Sequence, residues 1–212
     1  MSAITKKLQS QTKLLFYAGV AALGILLQTA PAHAGTPTEQ IQGAIEKATA
    51  ILKNDKLQPE AKKNELRAAI YPSFDFTEMA RRSLGSHWQR RSPDEQRQFV
   101  KLFTEMMEAA YMSNLEAYQG EKVVIGGEKQ DKEFAQVDTK IITKKGEEFS
   151  VNYRLHQAGG DWKIYDVVIE NISLVNNYRS QFNRVIAQSS YDELFRRMKD
   201  KQFEAAGVKK GA

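Results

Sequence analysis

After Gly120 the apolar residues stop recurring every three or four positions and begin to alternate with polar ones. That change of period limits the architecture more than any other feature of the chain. Ala135, Val137, Thr139 and Ile141 alternate with Gln136, Asp138 and Lys140, and Phe149, Val151, Tyr153 and Leu155 alternate after a Lys144-Lys145-Gly146-Glu147 turn. Val123 and Ile125 mark a strand before these two. Trp162–Ile172, rich in β-branched and aromatic residues and preceded by Gly159-Gly160-Asp161, marks one after them. Short polar turns between successive strands dictate an antiparallel meander. The last strand runs directly into a helix opened by Ser173, in which Leu174, Tyr178, Phe182, Val185 and Ile186 recur at helical spacing.

Helical signals fill the chain before Gly120. Thr36-Pro37-Thr38-Glu39 combines a threonine cap, a proline at the first helical position and a glutamate three residues on. Ile41, Ala44, Ile45, Ala48, Ile51 and Leu52 then form one stripe. A second helix starts near Pro59, carries Ala61, Leu66 and Ile70, and stops before Pro72. Phe74–Leu84 reads as a short helix capped by Asp75, with Glu78 completing a capping box and Gly85 as the stop. Ser92-Pro93-Asp94-Glu95 opens a longer helix reaching about Tyr118, whose wide apolar face includes Phe103, Met106, Met107, Ala110, Tyr111 and Leu115. Such a flexible, methionine-rich face serves either as plain core or as a ligand wall. Helices at Leu174–Gln188 and Tyr191–Phe203 follow the strands, and Lys209–Ala212 reads as a frayed tail. The expected fold is α+β, a four-stranded antiparallel sheet with helices packed over one face. A curved sheet covered in this way builds a cavity.

The first 34 residues read as a secretory leader. Lys6, Lys7 and Lys13 form a positive start, Leu14–Leu27 is apolar but too short to span a bilayer, and Ala32-His33-Ala34 is a cleavage site. Residues 35–212 then form one domain. The whole chain has 31 basic and 26 acidic residues; without the three leader lysines the balance is 28 to 26. A body so nearly neutral, with no long basic run, gives no ground for a nucleic-acid partner. Arg81-Arg82 and Arg90-Arg91 are local basic clusters, either a solvated helix face or a contact surface for anionic headgroups or an acidic partner. The absence of cysteine excludes thiol chemistry and suits an exported bacterial protein stabilised by its core.

The sequence offers little catalytic material. Beyond the leader only His87 and His156 remain, far apart, and neither H-E-x-x-H nor G-x-S-x-G occurs. Gly126-Gly127 and Gly159-Gly160 read as hairpin turns rather than phosphate loops, and neither a metal nor a cofactor is implied. The one candidate is Asp166, a general base if burial in a cone-shaped pocket raises its pKa beside Tyr165. Strand alternation argues against it: with Tyr165, Val167 and Ile169 turned inward, Asp166 faces away and pairs with a basic residue such as Arg179 or Arg154.

Two blocks carry a resemblance. WKIYDVVIENISLVNNYRSQF (Trp162–Phe182) and FDFTEMARRSLGSHW (Phe74–Trp88) resemble the MlaC family of phospholipid carriers, also known as toluene-tolerance auxiliary proteins, in order and spacing. Asn171 departs from the glycine common in relatives, a conservative change at a turn or bulge. The resemblance implies an NTF2-like cone with an apolar cavity and a periplasmic carrier for glycerophospholipid. It also implies two partners, an inner-membrane ABC transporter complex and an outer-membrane lipoprotein–porin complex, with no catalysis by this chain. Exposing two acyl tails of about 30 methylenes would cost on the order of 20 kcal/mol, so such a carrier needs a deep apolar interior. Two walls are available: the helix face from Phe103 to Leu115, and the sheet residues Val151, Tyr153, Tyr165, Val167 and Ile169. Arg81 and Arg82 are the candidates for docking. The competing readings are a cone-fold isomerase or hydrolase using Asp166, and a structural domain with a filled core.

Overall fold

The computed structural model describes residues 35–200 and Phe203; the leader assignment and the C-terminal tail lie outside these residues. Four helices come first: α1 (Pro37–Leu52), α2 (Pro59–Ile70), α3 (Phe76–Leu84) and α4 (Pro93–Glu116). Five strands follow: β1 (Lys122–Asp131), β2 (Phe134–Ile142), β3 (Glu148–Ala158), β4 (Asp161–Ile169) and β5 (Ile172–Ser173). Two helices, α5 (Leu174–Gln188) and α6 (Tyr191–Lys199), end the described chain. The strands form one antiparallel sheet in sequential order. The α+β meander read from the sequence is therefore present, with five strands where four were expected. The fifth arises because the chain reverses at Glu170-Asn171, so that Ile172 pairs back onto Ile169.

Helix starts follow the local chemistry. At α1 the Thr36 hydroxyl accepts from the Glu39 amide while the Glu39 carboxylate accepts from the Thr36 amide, a complete capping box. At α3 only half of the expected box forms. Asp75 accepts from the Glu78 amide, but the Glu78 carboxylate turns to Arg81 and Arg82 instead. Further along, Glu108 of α4 is gripped by Arg67 and accepts from the Tyr71 hydroxyl at 2.7 Å, joining α2 to α4. Burial, with Glu108 adding to it, pushes the Tyr71 phenol up to about 12.

The glycine pair Gly126-Gly127, expected as a hairpin turn, instead lies inside β1, where the register with β2 shifts by one residue. A second bulge sits in β4. Arg154 pairs with Asp166, but Leu155 pairs with Ile164, which leaves Tyr165 as an extra residue. Val151, Tyr153 and Leu155 share one face with Val137, Val167, Ile164 and Ile169, and these residues belong to the core or pack against it. The opposite face carries Gln136, Asn152, Arg154 and His156.

The bulge corrects one sequence assignment. Tyr165 does not join Val167 and Ile169 on the inner face. It packs edge-on against Phe134 and His156, which pair with one another on the outer face, and the Arg82 guanidinium lies over its ring at 4.2 Å. One additional residue reverses the alternation, so Ile164 and Trp162 turn inward in its place.

Asp166 faces outward as alternation required, and its partner is Arg154 at 3.1 Å. Although buried, it is fully employed: it also accepts from the Ser173 hydroxyl at 2.6 Å and the Val175 amide at 3.1 Å, which ties β4 to the first turn of α5. Replacing Asp166 by Ala should lower stability by about 2–3 kcal/mol in chemical denaturation, because three donors lose a charged acceptor. A change below about 0.5 kcal/mol would show that the contacts are not needed for folding.

Candidate functional site

The sheet's inner face and the helices enclose a single apolar core. Helix α4 is held closely by α3 and α6, whereas α1, α3 and α5 are the helices that approach the strands. Side chains therefore span the distance between α4 and the sheet. From α4, Met106 and Met107 are buried in the same core as Val151 and Val167, and Tyr111 packs against it. Apart from Tyr165, which the bulge turns outward, and the residues described next, the helix-side and sheet-side residues expected from spacing lie in or against this one core.

Phe103 is completely buried among aromatic rings, 6.0 Å from Tyr178 and 6.4 Å from both Phe99 and Phe182, and serves the helix–helix packing. Ala110 is only half-buried, and Leu115 is exposed near the end of α4. Sequence reasoning placed Val137 and Leu155 on the apolar face of their strands without naming them as site residues, and counting by twos put Ile164 outward beside Asp166. The bulge alone turns Ile164 inward.

Tyr153 sits in the middle of the central strand, between Val137 and Val167. Burial alone pushes its phenol up to about 12, and its hydroxyl makes no hydrogen bond among the described residues. Yet Tyr153 is only half-buried by its accessible surface. Part of its ring is left uncovered by the surrounding side chains. A cleft of about 380 Å³ also opens between α1 and the start of β1, with Ile45, Val123 and Ile125 on its apolar side and Gln42, Glu46 and Lys122 on its polar side.

Outside this interior, Arg81 and Arg82 both bind Glu78. Arg81 makes two bonds of 2.6 Å and Arg82 one of 2.6 Å, and together they hold the Glu78 carboxyl down at about 2 against the opposing effect of burial. Arg82 is further fixed by Tyr165, so Arg81 is the more exposed of the pair. Asp75 reaches the neighbouring His156 at 3.0 Å. His87, the other histidine among the described residues, meets Asn183 at 3.0 Å instead.

A family model described as "MlaC protein" matches residues 42–200. The chain belongs to the MlaC family. Among its relatives, the "Intermembrane phospholipid transport system binding protein MlaC" of Haemophilus influenzae is 25% identical over 148 residues, covering 68% of this chain and 69% of that protein. The "Toluene tolerance protein ttg2D" of Pseudomonas putida is 24% identical over 165 residues, covering 75% of this chain and 77% of the relative. A solved structure of a phospholipid-binding protein from Ralstonia solanacearum, in complex with a phospholipid, superposes with a TM-score of 0.72 at 21% identity, over 79% of this chain and 97% of that one. The MlaC family comprises phospholipid-binding transport proteins rather than enzymes, in keeping with the employed state of Asp166.

The Glu78 group gives this region an acid limb. Because its folded pKa lies below the ordinary 4.5, its contribution is present above that value and is lost as pH falls toward about 2. Glu78→Gln should flatten the stability profile across that window and cost about 1 kcal/mol at neutral pH, after allowance for solvent screening. An unchanged acid limb in denaturation measured at several pH values would mean that the arginines do not hold the carboxylate in solution.

Proposed function

We propose that this chain is a periplasmic carrier that holds a glycerophospholipid by its acyl chains between α4 and the inner face of the sheet. The observation that carries this reading is one apolar core to which α4 brings Met106, Met107 and Tyr111 and the sheet brings Val151, Tyr153, Val167 and Ile169. Relatives named for phospholipid transport and the phospholipid complex of the Ralstonia protein support it. The adaptable methionine wall suits chains of differing length and unsaturation. Phosphate and headgroup stay outside, because an unpaired charge in such an interior costs far more than it does in water.

In the same proposal, residues 1–34 direct export and residues 35–212 form the binding domain. The carrier exchanges lipid between an outer-membrane lipoprotein–porin complex and an inner-membrane ABC transporter complex. Arg81 and Arg82 belong to its docking surface, with Arg81 the more accessible.

Organic extraction of the purified protein followed by mass spectrometry should yield phospholipid near one molecule per chain. Val167→Asp should lower that content at least several-fold while circular dichroism remains that of a folded domain. Wild-type protein devoid of phospholipid, and unable to acquire it from vesicles, would contradict the reading. A folded Val167→Asp variant with full lipid content would remove this part of the sheet from the wall.

A further inference from the structure

Among the described residues four large apolar side chains are conspicuously exposed: Leu115 at 37%, Phe134 at 38%, Phe149 at 41% and Ile172 at 46%. Exposed apolar groups mean little when scattered and much when gathered. Two of these four gather, and the helix end that bears a third leads to the same place. Phe149 lies at the start of β3, directly opposite Ile141 near the end of β2. Ile172 lies opposite Ile169 at the end of β4. Leu115 is near the end of α4, and the short connection from there leads to Lys122, which pairs with Ile142 at this same end of the sheet. Gly120 of that connection lies beside the Lys144 side chain of the β2–β3 turn.

The register shows where Phe149 and Ile172 lead. Phe149 is the outermost member of the row Phe149, Val151, Tyr153, Leu155, whose inner members belong to the core or pack against it. Ile172 shares its face with Ile169, and Val167 follows inward. Both exposed residues therefore continue the inner wall outward without a polar interruption. The turn between Ile169 and Ile172 is firmly built. Glu170 and Asn171 both take left-handed backbone, with φ of +48° and +64°, as a two-residue hairpin turn requires. The Glu170 carboxylate accepts from the Ser150 amide at 2.5 Å and the Ser150 hydroxyl at 3.0 Å, which pins the turn to β3. The cleft beside Val123 opens at this end too, since Val123 pairs with Ile141.

We propose that phospholipid acyl chains pass between a bilayer and the interior across this lip of Phe149 and Ile172. The inference rests on the carrier reading and adds the route. An acyl chain is the occupant that fits a strip of hydrocarbon continuous with a hydrocarbon interior: each methylene leaving the bilayer meets apolar surface before it meets water, which lowers the barrier to transfer. Phe134, the fourth exposed residue, lies at the far end of the sheet on the outer face and plays no part.

The test is the rate at which the full mature chain takes up a fluorescent phospholipid from phosphatidylglycerol vesicles. Phe149→Thr with Ile172→Thr, which keeps strand propensity, should slow uptake about tenfold while the lipid content reached at equilibrium stays at the wild-type level. Phe134→Thr should take up lipid at the wild-type rate. Should the double variant unfold by circular dichroism, Ile172→Thr alone, in the most exposed position, should still slow uptake measurably. Wild-type rates in the folded lip variants would overturn the route and leave the carrier reading standing. A wild-type dimer in sedimentation that the lip variants dissolve, with uptake unaltered, would instead make the lip a contact between two copies. Wild-type protein that takes up no phospholipid would end the carrier reading, and the route with it.

Discussion

At Tyr165 the fourth strand carries one residue more than its neighbour, and each assignment of inside and outside along it depends on that surplus. On one side of the bulge Ile164 faces the core; on the other, Val167 does. Between them Tyr165 and Asp166 are both directed outward, where Arg82 covers the ring and Arg154 meets the carboxylate. A regular strand would have to bury either Tyr165 or Asp166 in the interior. By placing both polar-tipped residues on the outer face, the chain keeps the inner side of β4 aliphatic from Ile164 to Ile169 and lets Asp166 anchor α5.

The same principle of satisfied exteriors and apolar interiors runs through the rest of the fold. Charged groups near the core are matched at its margin: Glu108 by Arg67 and Tyr71, Glu78 by two arginines, Asp75 by His156. The inner face keeps one buried hydroxyl, Thr139, which donates to the Val151 carbonyl, and one phenol without a partner among the described residues, Tyr153. An inner face so largely apolar is of the kind that hydrocarbon chains can pack against. Membership of the MlaC family and the arrangement of the core lead to the same kind of activity by independent routes.

Much of this was legible in the residues. The capping box at Thr36, the proline-led helix starts and the alternation in β2 and β3 each express a local preference strong enough to decide the outcome. The bulge was hard to read, because Ile164, Tyr165, Val167, Val168 and Ile169 supply apolar residues to either face; its one mark is that Lys163 and Asp166, an odd number of positions apart, share the outer face. The fifth strand was hidden for a related reason: a turn at Glu170-Asn171 without glycine gives no composition signal, although asparagine tolerates left-handed backbone well. Gly126-Gly127 misled in the opposite direction, since glycine marks a bulge as readily as a turn. Of the residues chosen by spacing, most lie in or against the core, Phe103 among its aromatic rings, whereas Leu115 is exposed and the bulge turns Tyr165 outward.

The central claim is that hydrocarbon occupies the space between α4 and the inner face of the sheet. The most direct measurement uses a phospholipid bearing a nitroxide near the end of one acyl chain, loaded into isotopically labelled protein and observed by nuclear magnetic resonance. Amide signals of Met106, Tyr153 and Val167 should broaden strongly, while those of Gln136 and Asn152 on the outer face stay much sharper. Broadening centred on the outer face, or none at all in protein shown to hold the lipid, would contradict the account.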